Sequence, residues 1–278
     1  MDLAHIVLLV AAGLAAGVVN AIAGGGSLIT FPSLIAVGLP SVDANVTNST
    51  AVFPGYVSSV VGSRADLAGQ GRRLRAVVPT SLLGAVFGCL LLLGTPARAF
   101  EVIVPFLVLG AAAILFFQDR LRALINRATD KPASQAADKP AGSATGKRAG
   151  STTKEKAGVS NLTLHIVVFV GAIYGGYFGA ALGVMYVAAF ALVLDETLNR
   201  INALKNVLSA CVGLTTVVVF GFLAPVHWGA VLAVAPATVV GGYVGARLAR
   251  RLPARVLKVL IVTFGAVVGL ILLWRAFG

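Results

Sequence analysis

Polar side chains interrupt this apolar sequence at two places where their types could bind an anion. The first is residues 41–50, SVDANVTNST, and the second is residues 196–210, ETLNRINALKNVLSA. Amides and hydroxyls in the first turns of a helix, beside its positive dipole end, can bind an anion without a buried cation. From these two segments the candidate site takes Asn45, Asn48, Ser49, Thr50, Asn202, Lys205, Asn206 and Ser209.

A third segment, residues 20–40, is crowded with residues that interrupt helices. It contains a glycine triplet followed closely by Pro32, in the sequence NAIAGGGSLITFPSLIAVGLP. We expect the backbone to open here, and in lipid an open backbone is tolerated only where it faces protein or a water-filled cavity. Close helix packing is the alternative use of glycine, and we favour it for Gly17 and Gly175. The opened segment adds Asn20, Gly24, Gly25, Gly26 and Ser27 to the candidate site.

Lys205 has a second explanation that involves no substrate. It is the only cation near the inner end of an apolar segment that lies outside the main clusters of Lys and Arg. A lysine near a helix end can extend its apolar stem and place its ammonium among the lipid headgroups. The sequence leaves both roles open.

The apolar segments lack the groups that several other functions need. All ten acidic residues lie at segment ends or in loops, and no histidine lies in the middle of an apolar segment. Cation transport is therefore disfavoured, because a dehydrated cation needs charged oxygen ligands. The chain also lacks HExxH and GxSxG motifs, so we expect neither an enzyme, nor a bound metal, nor a cofactor.

The elements that position these residues must lie in a membrane. Of 278 residues, 58% are apolar and 12% are charged, and the chain contains 32 glycines. Soluble domains are about half apolar and a quarter charged, so this composition predicts an all-α integral membrane protein in a lipid bilayer. A soluble enzyme and a nucleic-acid-binding module are excluded, although the net charge is +12.

About eight apolar segments are long enough to cross a bilayer, and two are too short. The N-terminal segment carries Asp2 where a signal peptide would carry a cation, so we interpret it as a retained first span. The short segments are residues 27–38 and 183–194. The other long segments are residues 44–62, 76–94, 99–117, 162–180, 203–223, 228–247 and 256–274.

The distribution of cations predicts the orientation. Eighteen of the 22 Lys and Arg lie in residues 64–75, 118–160 and 247–258, and the positive-inside rule makes these three segments cytoplasmic. Residues 118–160 are a predicted cytoplasmic linker, largely disordered, because their polar Ala, Gly, Ser and Lys composition offers little to bury. We therefore predict a protein of the bacterial inner membrane with both termini on the outer side of that membrane.

The linker separates two halves, residues 1–117 and 161–278, that repeat each other. At an offset of 158 Asn48 matches Asn206, and at 157 the turn Pro96-Ala97-Arg98 matches Pro253-Ala254-Arg255. The first turn is predicted outside and the second inside, so the repeats are inverted. Each repeat is then a broken or re-entrant helical pair followed by three transmembrane helices, as in inverted-topology transporters.

The sequence resembles the sulfite exporter TauE/SafE family. The resemblance rests on residues 20–26 with the glycine triplet, on the following Ser-Leu-Ile-Thr-Phe-Pro, and on Leu39-Pro40 leading to Asn48-Ser49-Thr50. It implies a membrane transporter for sulfite, sulfonates such as sulfoacetate, or related small anions. The second copy departs from the pattern at residues 178–181, where glycines would be expected.

Two functions follow from these observations. The first is a secondary transporter, and by resemblance an exporter, of a small sulfur-containing oxyanion, or else of another small organic anion. The second is a membrane protein that binds a lipid or a partner and transports nothing. A homo-oligomer is compatible with either.

Overall fold

The computed structural model describes residues 2–22, 24–130, 161–194, 196–248 and 254–277, and all regular structure in these ranges is helical. The prediction of an all-α protein is thus confirmed for the described chain. A turn of 3-10 helix, Arg64–Leu67, joins α3 to α4. The ten α-helices are α1 Leu3–Ile22, α2 Ser27–Ala36, α3 Ser41–Gly62, α4 Gly71–Gly94, α5 Ala97–Asp130, α6 Asn161–Tyr177, α7 Leu182–Val193, α8 Leu198–Leu223, α9 Trp228–Leu248 and α10 Ala254–Phe277.

Four described helical stretches are long and apolar enough to cross a membrane: Leu3–Ala21, Gly71–Gly94, Ala97–Phe117 and Asn199–Leu223. Five more are apolar but shorter: Ser27–Ala36, Asn161–Tyr177, Leu182–Val193, Trp228–Val244 and Gly265–Trp274. Helix α3 belongs to neither group because its polar residues lower its hydropathy. The chain is a membrane protein with several apolar helices, and the count of about eight full spans stays a prediction.

The two short segments are short helices, and each follows an opened backbone. Helix α2 has 10 residues and begins after the non-helical residues Gly24 to Gly26. Helix α7 has 12 residues and begins after the non-helical residues 178–181. The opened backbone predicted at the glycine triplet is therefore present. Pro32, however, lies inside α2 and does not end it.

Helix α5 is longer than we expected from its sequence. It continues to Asp130. Thirteen residues of the predicted linker, residues 118–130, are therefore helical, although we predict this segment to be largely disordered. The reason is visible in the sequence, because Leu121, Leu124 and Ile125 follow a helical spacing among the charged residues. Residues 131–160, which hold most of the predicted linker, lie outside the described residues.

The helix contacts follow one pattern in both halves. Helix α1 packs on α9 and α6 packs on α4, and likewise α3 packs on α9 and α8 on α4. The pairs α3 with α8 and α5 with α10 join equivalent helices of the two halves. If each helix of one half is replaced by the helix at the same place in the other half, the same set of contacts results. Each half is completed by helices of the other, so the core is shared.

Aromatic side chains tie the two opened segments into this core. Phe31 of α2 and Phe178 of the opened backbone before α7 meet edge to face, with ring centroids 5.2 Å apart. The rings of Phe100 of α5 and Phe178 also meet edge to face, with centroids 6.4 Å apart. All three side chains are at most 2% exposed, and such pairs stabilise a core beyond their buried area. The short helices are held by tertiary packing.

Glycines allow the main helix pairs to pack with their backbones in contact. A Cβ at Gly17 would overlap the carbonyl oxygen of Thr238 on α9, and one at Gly88 would overlap that of Ile173 on α6. The packing role that we expected for Gly17 is therefore present. Gly175 contacts the side chains of Leu182 and Val212 instead, and Gly176 is the residue of α6 that lies against the backbone of α4.

The substitution Gly88→Ala is expected to destabilise the protein by about 1–3 kcal/mol, because the added methyl group overpacks the contact between α4 and α6. Gly110→Ala is the matched control, since Gly110 is also inside a helix and has no atom within 4 Å of an added Cβ. Thermal unfolding in detergent measures both. An equal melting temperature for the two variants would contradict the close packing of α4 on α6.

Candidate functional site

The two opened segments meet in the interior of the protein. An added Cβ at Gly24 would lie 3.0 Å from the Cα of Gly183, so the two backbones are in direct contact. Gly24 has φ +80°, a conformation that a residue with a side chain rarely adopts. Ala181, the residue before α7, has φ +57° although it carries a side chain. Such strain of about 1–3 kcal/mol persists only where the surrounding structure enforces it, and it concentrates at functional sites.

A cavity lies where these segments meet, and we call it the central cavity. Its lining comes from the end of α1, the starts of α2 and α7, the middle of α3 and one face of α8. The lining residues are Asn20, Gly24, Gly25, Gly26, Ser27, Tyr56, Gly179, Ala181, Leu182, Gly183, Lys205 and Ser209. Seven of the thirteen residues that we assigned to the site from the sequence are among them.

Two helix N-termini converge on the central cavity. Helix α2 begins at Ser27 and helix α7 begins at Leu182, and both residues line the cavity. The N-terminus of a helix carries about half a positive charge, which favours anions. One helix comes from each half of the chain, so the halves contribute equivalent ends to one site.

The basic residue Lys205 lines the same cavity. It lies about 10 Å along α8 from the start of the helix. It is 3% exposed, and its Cδ would be 3.1 Å from a Cβ added to Gly183. A snorkelling lysine would instead extend toward the headgroups, so the geometry favours the role in the cavity. No acidic residue occurs among the described lining residues, which makes the cavity electropositive.

Asn20 connects the opened backbone to the cavity. Its Oδ1 accepts a hydrogen bond of 2.8 Å from the backbone N–H of Gly26, which holds the glycine triplet against the end of α1. Its Nδ2 is buried and has no hydrogen-bond partner within the described residues. A buried donor without a partner costs about 1–3 kcal/mol, and an oxygen atom of a bound anion would satisfy it.

The central cavity is closed to water in this structure. About 220 Å³ of space between atoms, part of it open to the outside, lies among the lining residues, and none of it is wide enough for a water molecule. An adjoining cavity shares Ser27, Tyr56, Gly179 and Leu182 with it and also contains Ser49, another predicted site residue. That cavity has about 20 Å³ that a water molecule could reach. Both cavities are therefore too small for a polyatomic anion in this conformation.

The other predicted residues of α3 line neither cavity and make contacts within the protein. Asn48 accepts a hydrogen bond from the Thr30 hydroxyl of α2. Asn45 donates through Nδ2 to the Tyr177 carbonyl at 2.8 Å, and its buried Oδ1 has no partner within the described residues. Thr50 donates to the Val46 carbonyl of its own helix. The first two join α3 to the elements beside the opened segments.

Two predicted residues of α8 also lie away from the cavities. Asn206 donates through Nδ2 to the Ser59 carbonyl at 3.3 Å and to the Ser63 hydroxyl at 3.0 Å, so it joins α8 to α3. Asn202 is half-buried and lines neither cavity. Asn48 and Asn206, which match across the repeat, thus each form a hydrogen bond to another helix.

Five residues line the central cavity although we did not assign them to the site from the sequence: Tyr56, Gly179, Ala181, Leu182 and Gly183. Tyr56 follows Ser49 and Val52 on one face of α3, at a spacing that helical periodicity would have detected. Gly183 is the repeat equivalent of Gly25, so the repeat carried a signal for the second segment. Its weaker glycine pattern concealed that signal.

The class of protein follows from this arrangement. Two broken helices meet at their opened segments in a shared helical core, and buried Lys205 lies at the junction. Membrane transporters built from discontinuous helices have this construction. Residues 9–272 match the family model described as "Sulfite exporter TauE/SafE". The chain belongs to the sulfite exporter TauE/SafE family, and the resemblance seen in the sequence is confirmed.

The chain is also similar to curated proteins of the same kind. It is 25% identical over 254 residues to the probable membrane transporter protein ORF9 of Sinorhizobium sp, covering 89% of this chain and 84% of that protein. It is 22% identical over 265 residues to the probable membrane transporter protein YfcA of Escherichia coli K12, covering 95% and 87%. A probable membrane transporter protein of Haemophilus influenzae is 31% identical over 114 residues, 41% of this chain and 45% of that protein. No solved structure matches the chain significantly.

Proposed function

We propose that this protein is a secondary transporter that exports a small sulfur-containing oxyanion, such as sulfite or an organosulfonate like sulfoacetate, across the bacterial inner membrane. The observation that carries the proposal is the convergence of two helix N-termini and buried Lys205 on one cavity without an acidic lining residue among those described. The family supports the sulfur-containing substrate.

The lining groups suit an oxyanion in a specific way. The Lys205 ammonium and the Asn20 amide are donors, and the starts of α2 and α7 add their dipoles. The hydroxyls of Ser27, Tyr56 and Ser209 can donate to further oxygens.

We propose that the two halves are inverted repeats and that they move against each other during transport. Exchange of the halves preserves the helix contacts, which supports the repeat. The closed cavity at the junction of α2 and α7 would open to one side of the membrane at a time as the opened segments separate. About eight helices would span the membrane fully, and α2 and α7 would be two additional short helices.

The inverted arrangement makes a prediction about topology. Both termini are expected outside and residues 118–160 in the cytoplasm, so a C-terminal alkaline phosphatase fusion should be active and a cytoplasm-dependent fluorescent fusion should not. A cysteine introduced at Ser143 is the internal check. Its labelling by an impermeant reagent from the periplasmic side would contradict the proposed orientation.

Flux through proteoliposomes tests the function. Purified protein is reconstituted, loaded with sulfite, sulfoacetate, taurine or sulfate, and assayed with and without an imposed pH gradient. We expect selective efflux of sulfite or a sulfonate, with thermal stabilisation by the same compound. Flux of a different organic anion alone would show that the substrate is not a sulfur-containing oxyanion. Neither flux nor stabilisation with any anion would favour a membrane protein that binds a lipid or a partner.

A further inference from the structure

A second cavity of the protein is wide and strongly polar. It lies where the first turns of α4, α6 and α8 come together, and about 480 Å³ of it is accessible to a water-sized molecule. Its charged lining residues are Arg72, Arg73, Arg200 and Glu196, and His165 lies beside them. We call it the arginine cavity. It shares no lining residue with the central cavity.

An ion network fixes the wall of the arginine cavity. Glu196 accepts from Arg73 at 3.0 Å and from Arg200 at 2.6 Å, so one carboxylate joins α4 to α8. Arg200 also donates to the Ala68 carbonyl. His165 is held by a contact of 2.8 Å between its Nδ1 and the Thr80 hydroxyl. The wall is thus built by side chains with defined partners.

The electrostatics of this cavity favour a phosphate group. The lining contains three arginines and one carboxylate, a net formal charge of +2 without His165. A guanidinium has five N–H donors, so Arg73 can contact Glu196 and a phosphate at the same time. Three helices begin at the cavity, at Gly71, Asn161 and Leu198, and their dipoles add positive potential.

The surface next to the cavity favours a lipid over a free ion. On α4, Arg72 and Ala76 of the cavity continue along the same helix face into Leu83 and Phe87, which are 67% and 56% exposed. On α6, residues adjacent to the cavity lining are also apolar and exposed, namely Leu162, Ile166 and Phe169. A polar cavity at the ends of two membrane helices therefore lies beside exposed apolar residues of the same two helices.

We propose that the arginine cavity binds the phosphate of a phospholipid headgroup, with the acyl chains lying along the exposed faces of α4 and α6. Basic pockets between the ends of transmembrane helices are suited to this chemistry. The lipid would bridge α4 and α6, one helix from each half of the chain. It would bind at a site that is separate from the central cavity.

The test compares two arginines of the same helix turn. Arg72 lines the cavity, whereas Arg75 does not and donates its Nε to the Gly71 carbonyl. Delipidated full-length protein in detergent is titrated with phosphatidylglycerol and bound lipid is counted by native mass spectrometry. We expect Arg72→Gln to weaken lipid binding about tenfold, as for loss of one charge-assisted hydrogen bond, and Arg75→Gln to leave it within about twofold.

Two further arms separate the sources of the phosphate. Inorganic phosphate and glycerol phosphate, at concentrations far above that of the lipid, should not displace phosphatidylglycerol. Displacement by either would overturn the lipid assignment in favour of a free phosphate. An equal loss of lipid binding in Arg72→Gln and Arg75→Gln would overturn the site itself, because it would mean general attraction to a basic surface.

Discussion

Substitution of Lys205 by methionine is expected to abolish most of the substrate transport. Methionine keeps a similar length and volume but removes the ammonium from the central cavity, where Lys205 is 3% exposed. Loss of one hydrogen bond to a charged ligand is worth about 1.5–3 kcal/mol, or roughly a ten- to hundredfold loss of affinity. Flux of sulfite or sulfoacetate through proteoliposomes measures the loss, and size-exclusion chromatography verifies the fold.

Substitution of Lys205 by arginine distinguishes a role in the cavity from snorkelling. Arginine keeps the charge but replaces a compact ammonium with a planar fork, which is larger than the closed space beside Gly183 allows. We therefore expect this variant to lose transport as well. A snorkelling lysine would tolerate arginine, because only its charge at the headgroups matters. Full flux and unchanged substrate affinity in the arginine variant would remove Lys205 from the site.

The second large effect is expected for Gly24→Ala. The added methyl group would lie 3.0 Å from the Cα of Gly183 and 3.2 Å from its carbonyl carbon, so the two opened segments would be pushed apart. Overpacking of this kind costs about 1–3 kcal/mol. Because the segments form the walls of the central cavity, we expect about a tenfold or greater loss of flux in the same proteoliposome assay.

Gly38→Ala is the matched control for this substitution. Gly38 has φ +96°, so alanine suffers a similar backbone penalty there, but no atom lies within 4 Å of an added Cβ. Any difference in flux between the two variants therefore reports the contact with Gly183 rather than the backbone conformation. Equal flux in both variants would show that the contact between the segments has no part in transport.

The closed central cavity gives these predictions a common physical basis. Two helix N-termini, each with a partial positive charge, and the basic residue Lys205 line one cavity, an arrangement that favours an anion. Tertiary packing holds them together through the edge-to-face contact of Phe31 with Phe178 and the hydrogen bond from Gly26 to Asn20. On the proposed function, an anion bound in this cavity would be stabilised by both helix N-termini and by Lys205.

The class of protein and its broken helices could be predicted from the sequence. Apolar composition and segment length depend only on the chain, and both are direct consequences of the bilayer as solvent. The glycine triplet predicts an opened backbone because its cause is local, and residues 24–26 are indeed non-helical. Pro32 misled the prediction in detail, since it lies inside α2, where the surrounding contacts override its effect on the helix.

The membership of the site was decided only by the tertiary structure. The sequence placed Lys205 and Asn206 in one polar cluster, but adjacent residues on a helix point about 100° apart. Lys205 consequently lies in the central cavity, whereas Asn206 forms hydrogen bonds with α3. Long-range packing determines which helices of the two halves face each other. The polar groups could therefore be proposed from the sequence, but only the fold shows which of them share a cavity.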